Sequence, residues 1–347
     1  MMQLLGHIMR ISSRRDRTEI NAELIEALQD LFNPHRLTIY RCYINANRAI
    51  AHNCAGIGPN GPYLRNAYLP EQQDCASIDS DPLLLQSHRE LNYQIEQQVS
   101  GGLRMVVPIT RDKKLYYLID ICMSAGFDTE QRLLLMGLTE FFAQHIALLD
   151  YGETDTLTEL ANRKTFDKHL FEVLGRATLD AENVDGQHHR RNASDDNMLY
   201  WLAVCDIDKF KLINDTYGHL IGDEVLVMLA QLMRRSFRLA DQLFRFGGEE
   251  FVVVLQPTGS ADAHGVFERF RADVDSFEFS RVGRVTISIG FTQLVPNDSP
   301  SEVIERADEA LYYAKQHGRN QVALYEALVS AGSIQPKTVD HGDIVLF

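Results

Sequence analysis

Residues 199–208 read LYWLAVCDID, and this stretch decides the fold of the C-terminal half of the chain. An unbroken apolar run that ends in two alternating acids predicts a buried β-strand whose end delivers carboxylates to an edge or a cleft. Asp206 and Asp208 are two residues apart, so both should project to the same face. Two like charges placed together are costly unless a cation compensates them, and Mg²⁺ accepts such oxygen ligands.

The chain continues as KFKLINDTYGHLIGDEVL over residues 209–226. We predict a short helical piece over 209–213 that ends at Asn214, and then a longer helix that runs through Asp223 to Arg235. An Asn amide and a carboxylate near the acids can bind the hydrogen-bonding edge of a purine, and the N–H donors of guanine suit a carboxylate. The alternative is an ordinary turn Asn and an Asp favoured by the helix dipole.

A hairpin is predicted next, because RFGGEEFVVVL places Gly247–Glu250 between the apolar segments Leu243–Phe246 and Phe251–Leu255. Paired glycines supply the positive φ of a tight turn and let a phosphate approach the backbone. The two glutamates after the glycines lie at a strand end. If this hairpin lies beside the strand of Asp206, Asp206 and Glu249 meet and form a two-metal site for phosphoryl transfer.

The first 150 residues form a separate unit with its own pattern of apolar residues. Its predicted elements are a helix at Thr18–Phe32, strands at Leu37–Ile44, Arg104–Ile109 and Leu115–Met123, and an irregular stretch at Asn53–Leu85.

A closing helix follows, with Asp128 as its cap and Gln131 as the capping-box partner. Its apolar stripe is wide enough for burial against a domain and against a second helix. We therefore keep two interpretations, a core helix of its own domain and a parallel dimer helix that carries a signal onward. The stripe consists of Leu135, Leu138, Phe142, Ile146 and Leu149.

Composition limits the class of protein. A chain of 347 residues predicts two domains, and 34 basic against 48 acidic residues give a net charge of −14. This charge argues against binding to nucleic acid or to an anionic membrane surface. The apolar runs are too short for a membrane span, and basic residues follow the weak apolar N-terminus, so we expect a cytoplasmic protein. Five cysteines without a CxxC pair indicate reduced thiols.

Two polar segments carry no predicted function. Asp180–Asn197 has the composition of an inserted surface loop, and its His188 and His189 are better explained by solvation than by metal binding. Residues 327–347 form a tail that ends in an apolar IVLF.

Four motifs resemble those of the GGDEF family of diguanylate cyclases, in matching order and spacing over residues 151–326. GGEEF at Gly247–Phe251 is similar to the signature turn in its Glu variant. The other three are DTLTELANRKTF at Asp155–Phe166, with Glu159 where Gly is usual, DIDKFKLINDTYGHLIGDEVL at Asp206–Leu226, and ADEALYYAKQHGRNQV at Ala307–Val322. The N-terminal pattern resembles the GAF/PAS class of small sensor domains, GAF more closely.

These resemblances imply an α+β protein. The C-terminal domain would have a nucleotidyl-cyclase-like, ferredoxin- or palm-like sheet of five mostly antiparallel strands with flanking helices. A helix would connect it to an N-terminal GAF-like α/β sensor domain. The implied domains are the sensor at 1–127, the signalling and dimerisation helix at 128–154, the cyclase domain at 155–326 and the tail at 327–347.

The implied reaction joins two GTP molecules into cyclic di-GMP and releases two pyrophosphates across a homodimer, with two Mg²⁺ or Mn²⁺ ions per active site. The family's roles fall on residues of this chain that match its motifs. Metal would be bound by Asp206, Glu249 and the Ile207 carbonyl; Glu249, Glu250 and Lys211 would be catalytic; Asn214, His219, Asp223, Gly247, Gly248, Lys315 and Arg319 would bind substrate; and Arg238 and Asp241 would form an inhibitory product site.

Alternatives remain at three points. A catalytically silent cyclic di-GMP receptor is disfavoured because Asp206, Glu249 and Glu250 are all present. A synthase of relaxed base choice is disfavoured because the acid at Asp223 suits guanine. The Arg238-to-Asp241 pattern is an ordinary salt-bridged turn in the simplest alternative.

The ligand of the sensor domain is unknown, because no haem, flavin or bilin signature is convincing. Its candidate ligands also have a simpler explanation as core or loop residues. These candidates are Cys42, Cys54, Cys75 and His52.

Overall fold

The structure, a computed structural model, describes residues 2–45, 48–65, 74–98, 101–111, 113–185 and 199–335. The chain folds into two compact units. The N-terminal unit is Met1–Thr156 with Arg238–Ala240, and the C-terminal unit is Leu157–Phe237 with Asp241–Phe347.

In the described part of the N-terminal unit, seven strands form one antiparallel sheet. The strands are β1 (Arg36–Asn45), β2 (Arg48–Gly58), β3 (Gly61–Leu64), β4 (Cys75–Ser77), β5 (Gln94–Gln97), β6 (Leu103–Arg111) and β7 (Lys114–Met123). Their order is β3-β2-β1-β7-β6-β5, and β4 pairs with β2 beside this path. The strands predicted at β1, β6 and β7 are confirmed. The predicted irregular stretch is wrong in part, because it contains the end of β2, the short strands β3 and β4, and the start of a helix.

This unit has four described helices, and a capping side chain marks the start of three of them. They are α1 (Met2–Ser13), α2 (Arg17–Phe32), α3 (Pro82–Glu90) and α4 (Thr129–Glu153). Asp16 caps α2, which ends at Asn33 in the left-handed conformation. The predicted capping box of Asp128 and Gln131 is present at the start of α4.

Helices α1, α2 and α4 share one hydrophobic core with the sheet. Leu24 and Leu28 of α2 and Leu135, Leu138 and Phe142 of α4 are buried there. By length and composition alone α4 could also cross a membrane, a test that core helices of soluble proteins pass as well. On its other side α4 leaves Leu133, Leu148 and Tyr151 exposed.

A buried ion pair joins the start of α2 to the end of α4. The Arg17 guanidinium is 2% exposed, donates to Glu153 Oε2 at 2.7 Å and also pairs with Asp150. A buried guanidinium needs such partners, because a charge without them is costly away from water. The end of α4 is therefore fixed to the first turn of α2.

In the C-terminal unit the main sheet has the order β15-β14-β9-β11-β10-β8. These strands are β8 (Ala161–Asn162), β9 (Leu199–Ile207), β10 (Gln242–Gly247), β11 (Glu250–Thr258), β14 (Ile287–Gln293) and β15 (Val322–Leu324), and a separate pair is β12 (Glu278–Phe279) with β13 (Gly283–Arg284). The four central strands are antiparallel, whereas β8 and β15 pair in parallel at the two edges. The described sheet therefore has six strands rather than the five implied by the resemblance, because two very short strands extend its edges.

Six helices are described around this sheet. They are α5 (Arg163–Asp185), α6 (Phe210–Tyr217), α7 (His219–Ser236), α8 (Ser260–Ser276), α9 (Pro300–Gln316) and α10 (Tyr325–Ser330). Helix α9 starts with a capping box of Ser299 and Glu302 and Pro300 in its first turn. It lies unusually close to β14 because Gly290 has no side chain: a Cβ there would collide with backbone atoms of Ala307 and Leu311.

Three local predictions need correction or stay open. Asn214 does not end a helix, because α6 continues through it to Tyr217 and stops at Gly218. The start of the predicted loop at Asp180–Asn197 is wrong, since α5 runs to Asp185. The rest of that segment, with His188 and His189, and residues 336–347 of the tail lie outside the described residues.

Candidate active site

The register of β9 and β11 brings the predicted acids to one edge of the sheet. Glu250 pairs directly with Asp206, and Asp206 is also paired with Ser288 of β14 on its other side. Asp206 is 4% exposed, so its carboxylate lies at the buried end of a central strand. The hairpin therefore lies beside the strand of Asp206, which is the condition that the sequence set for a meeting of Asp206 and Glu249.

The turn of the hairpin is tight. Gly247 pairs with Glu250, and Gly248 has a φ of 52°, in the left-handed region that glycine adopts without steric cost. Arg245 donates two hydrogen bonds to the Gly248 carbonyl, at 3.1 Å and 2.8 Å. Of the two glycines, only Gly248 has a positive φ. The prediction that both glycines supply one is therefore wrong for Gly247.

Lys315 of α9 reaches the same edge. Its Nζ lies 2.9 Å from Asp206 Oδ2. Burial raises the pKa of Asp206, as do the nearby carboxylates of Glu250 and Asp208, while Lys315 opposes the rise. Burial and Asp206 likewise raise the pKa of Glu249. Acids therefore outnumber cations here, so the edge favours a further positive charge.

A further acid, Asp308, was missed by the sequence reasoning. Burial and the charge of Glu250 raise its pKa to about 6, and Lys315 acts in the opposite direction. Asp308 precedes Lys315 by seven residues on α9, which places both on the same face of the helix. That spacing inside the motif at Ala307–Val322 was the available signal.

Asp208 is bound by hydrogen-bond donors of the protein, whereas its position in the sequence suggested that it faces a cation. Its carboxylate accepts hydrogen bonds from Thr286 Oγ1 and Ser288 Oγ at 2.7 Å each and from the Asn320 backbone N–H at 3.0 Å. Donors of the protein therefore compensate its charge. The expectation that Asp206 and Asp208 share a compensating cation is wrong for Asp208.

The two residues predicted to bind a base lie on packed helices. A Cβ at Gly222 of α7 would collide with Asn214 Oδ1 and would come within 3.3 Å of Phe210 Cζ. The Asn214 amide of α6 thus lies against the residue that precedes Asp223. Asn214 is half-buried and Asp223 is exposed, so both are accessible at this helix pair.

The remaining predicted residues lie around these elements. Lys211 and His219 are exposed on the first turns of α6 and α7, and Arg319 is exposed in the turn after α9. Asp241, the second residue of the Arg238-to-Asp241 pattern, accepts the backbone N–H of Gln256 at 3.2 Å. Ile207 is the last residue of β9.

The donor set suits a divalent cation. Asp206 and Glu249 offer carboxylate oxygens and Ile207 a backbone carbonyl, and Mg²⁺ prefers hard oxygen ligands, with one or two carboxylates and substrate phosphates. Within the described residues, no cluster of three or more His, Cys, Asp or Glu side chains could hold a metal. An ion held by Asp206, Glu249 and the Ile207 carbonyl would complete its coordination with water or with the phosphates of a bound nucleotide.

The N-terminal candidates are grouped around β2. His52 is fully buried, and its Nδ1 lies 3.4 Å from Cys54 Sγ. In the pairing of β2 with β4, His52 lies opposite Cys75. All five cysteines are free thiols, as expected. Burial raises the pKa of the Cys54 thiol to about 11, so the thiol stays protonated and is a poor metal ligand at neutral pH.

Comparison with known proteins matches residues 153–321 to the family described as diguanylate cyclase, GGDEF domain. The chain is 33% identical over 256 residues to the diguanylate cyclase DgcP of Pseudomonas aeruginosa, covering 69% of this chain and 37% of that protein. It is 40% identical over 180 residues to the response regulator PleD of Caulobacter vibrioides, covering 50% and 36%.

A crystal structure of the GGDEF domain of DgcB from Caulobacter crescentus in complex with c-di-GMP is also similar. It is 35% identical, covers 50% of this chain and 96% of that chain, and has a TM-score of 0.44. The chain spans less than two thirds of the length of the curated relatives DgcP and PleD. The family match and the identities to these relatives establish that residues 153–321 are a GGDEF domain of the diguanylate cyclase family.

Proposed function

We propose that this chain condenses two GTP molecules into cyclic di-GMP and two pyrophosphates. The observation that carries the proposal is the pairing of Glu250 with Asp206, which gathers Asp206, Glu249 and Glu250 at one sheet edge next to Lys315. The identities to curated diguanylate cyclases support the same activity.

Each residue has a defined task in this reaction. The 3′-hydroxyl of one GTP attacks the α-phosphate of the other, a new P–O bond forms, and pyrophosphate leaves in line. Asp206, Glu249 and the Ile207 carbonyl would hold Mg²⁺ or Mn²⁺, which neutralises charge on the phosphates. Glu249 would also accept the hydroxyl proton as a positioned general base.

The other residues bind and orient the nucleotide. Lys211, Lys315 and Arg319 supply positive charge for the triphosphate, and the glycine turn allows its close approach to the backbone. Asn214 and Asp223 bind guanine from α6 and α7, with His219 beside them at the start of α7. Glu250 supports the metal ligands from β11.

Catalysis needs two copies of the chain, because one domain binds one GTP and the two nucleotides must face each other. The exposed apolar residues of α4, among them Leu133 and Leu148, offer a contact for a second α4. The opposite face of the helix is buried in its own unit. The apolar stripe predicted from the sequence therefore packs within its own unit, and a dimer contact would use exposed residues outside that stripe.

We infer that the N-terminal unit is a GAF-like sensor domain. Its central antiparallel sheet, covered by α1, α2 and α4, supports this assignment. The ion pairs of Arg17 with Asp150 and Glu153 tie α4 to the rest of the unit, so a change in the sensor can be passed to the helix. Its ligand is not identified.

Product inhibition is proposed for the Arg238-to-Asp241 pattern. An arginine can bind guanine or phosphate bidentately, and a carboxylate accepts the guanine N–H groups. Replacement of Arg238 with Ala should raise the concentration of cyclic di-GMP needed for half inhibition. Unchanged inhibition would leave Arg238 with a structural role.

The activity is tested by analysis of the products of the purified chain with GTP alone and with GTP plus ATP. We expect cyclic di-GMP in both mixtures and none with Glu249→Ala. Glu249 is half-buried in the hairpin turn and lies outside the hydrophobic core, so circular dichroism should show an intact fold for this variant. Binding of cyclic di-GMP without synthesis would instead support a silent receptor, and mixed dinucleotides would support a synthase of relaxed base choice.

A further inference from the structure

The turn after α9 holds three consecutive residues in the left-handed backbone region. Their φ angles are 114° at Gly318, 63° at Arg319 and 45° at Asn320. Glycine adopts this region without a steric cost, but other residues do not. Asparagine tolerates this region better than most residues, but Arg319 needs contacts from outside the turn to keep this conformation.

Asp208 provides one of these contacts from the end of β9. Its Oδ2 accepts the backbone N–H of Asn320 at 3.0 Å. The same carboxylate is fixed by hydroxyl groups of the sheet, Thr286 on Oδ2 and Ser288 on Oδ1, at 2.7 Å each. The turn is thus attached to the rigid centre of the sheet through a buried carboxylate.

The side chain of Asn320 is held from another direction. Arg271 of α8 donates to its Oδ1 at 2.6 Å, and its Nδ2 donates to Asp275 at 3.2 Å. Backbone and side chain of Asn320 are therefore both fixed, while the neighbouring Arg319 side chain stays exposed. The arrangement holds the backbone of Arg319 and leaves its guanidinium available.

We propose that Asp208 is a positioning residue for the phosphate-binding cation Arg319. This inference rests on the proposed function, in which Arg319 contacts the triphosphate. A fixed turn lowers the entropy lost when the guanidinium binds phosphate. Asp206 contacts Lys315 directly and Asp208 holds the turn of Arg319, so two acids at one strand end place two cations.

The test is a double-mutant cycle of Asp208→Asn and Arg319→Ala in the full chain, with inorganic tripolyphosphate and Mg²⁺ as the probe in titration calorimetry. The amide of Asn lacks the charge and one acceptor position. Asp208→Asn should weaken tripolyphosphate binding about tenfold when Arg319 is present and less than about twofold when it is absent. The same loss in both backgrounds would overturn the proposal.

Ser288→Ala is the matched control. It removes the hydrogen bond to Oδ1 but leaves the contact of Oδ2 with Asn320, so we expect tripolyphosphate affinity within about twofold of the wild type. A tenfold loss in this control would mean that the region as a whole, rather than the turn, determines affinity. Steady-state assays with GTP should show a raised KM and an almost unchanged kcat for Asp208→Asn.

A second variant covers a failure of Asp208→Asn to fold. Asn320→Gly keeps the backbone N–H and tolerates the positive φ, but it removes the contacts with Arg271 and Asp275. It should weaken tripolyphosphate binding only when Arg319 is present. Equal losses in both backgrounds would refute the idea that a fixed turn positions Arg319, on which the role of Asp208 depends. Failure of the proposed function would appear separately, as absence of cyclic di-GMP from the wild type, while the tripolyphosphate titration would still be measurable.

Discussion

Lys315 Nζ lies 2.9 Å from Asp206 Oδ2, so the cation predicted to bind phosphate contacts the carboxylate predicted to bind metal. The two residues come from α9 and β9, which are far apart in the sequence but pack together because Gly290 allows α9 close to the sheet. In this arrangement Lys315 offsets part of the charge of Asp206, Glu249 and Glu250. The same ammonium group is then beside the position where phosphates would enter.

The first prediction separates function from stability at Asp206. Asp206→Asn removes one charge from a crowded acidic edge at nearly constant shape, so the midpoint of thermal unfolding without metal should be unchanged or higher. Cyclic di-GMP synthesis should fall by about 10³-fold or more, because a metal ligand is lost. Differential scanning calorimetry and product assays measure the two effects.

Lys315→Met is the matched control for this prediction. It leaves the buried carboxylate of Asp206 without its cation and should lower the unfolding midpoint, in contrast to Asp206→Asn. If Asp206→Asn destabilises the chain as much as Lys315→Met, Asp206 has a structural role and the active-site assignment is weakened.

The second prediction concerns the close packing of α6 and α7. Alanine normally stabilises a helix by about 1 kcal/mol relative to glycine. At Gly222, however, a Cβ would collide with Asn214 Oδ1. Gly222→Ala should therefore leave the chain folded but displace the Asn214 amide, and KM for GTP should rise about tenfold. In an Asn214→Ala background the same change should have little effect, and a full tenfold effect there would contradict the explanation.

The sequence predicted most of the C-terminal site because its signals are local. An apolar run that ends at Asp206 and a glycine turn between strand-like segments are enough to predict β9, β10 and β11 and the hairpin of β10 with β11. The pairing of β9 with β11 was only a condition in the sequence analysis. The contacts of Asp208 with Asn320 and of Lys315 with Asp206 were not predictable in the same way. They depend on which distant segments pack at the strand end, and periodicity carries no information about that.

The third prediction concerns Glu159, where this chain departs from the family pattern. Glu159 stands where Gly is usual, and its φ is 57°, in the left-handed region. Glu159 also has an electrostatic interaction with Arg234. Two variants that both lack the carboxylate are therefore compared, so that only the effect of the Cβ on stability differs between them. Glu159→Ala should be less stable than Glu159→Gly by about 1 kcal/mol, because a Cβ is unfavourable at this φ. Urea unfolding measures the difference, and equal stabilities would show that the local backbone relaxes.

The N-terminal unit was predicted less completely than the cyclase domain. Helices α2 and α4 were predicted because apolar residues recur in them at helical spacing, and Asp128 additionally marks the start of α4. The hairpin of β2 and β3 was assigned to an irregular stretch, since its small residues and glycines obscure the alternation of a strand. Position 56 of β2 requires glycine, because a Cβ there would collide with the Leu37 carbonyl and the Tyr63 ring.

The last prediction is a pH dependence that arises from His52. This side chain is fully buried on β2, and its Nε2 has no hydrogen-bond partner among the described residues. Burial, together with the charges of Arg41 and Arg65, lowers its pKa to about 4. The unfolded chain, with a histidine pKa of about 6.5, binds the proton more readily, so stability should fall as the pH drops from 6.5 towards 4, by up to about 3 kcal/mol. His52→Gln should remove this part of the slope in thermal unfolding measured between pH 7 and pH 4.5. Identical slopes for the wild type and His52→Gln would mean that His52 binds its proton as readily in the folded chain as in the unfolded chain. A buried imidazole with a lowered pKa would then be the wrong description of the interior beside β2.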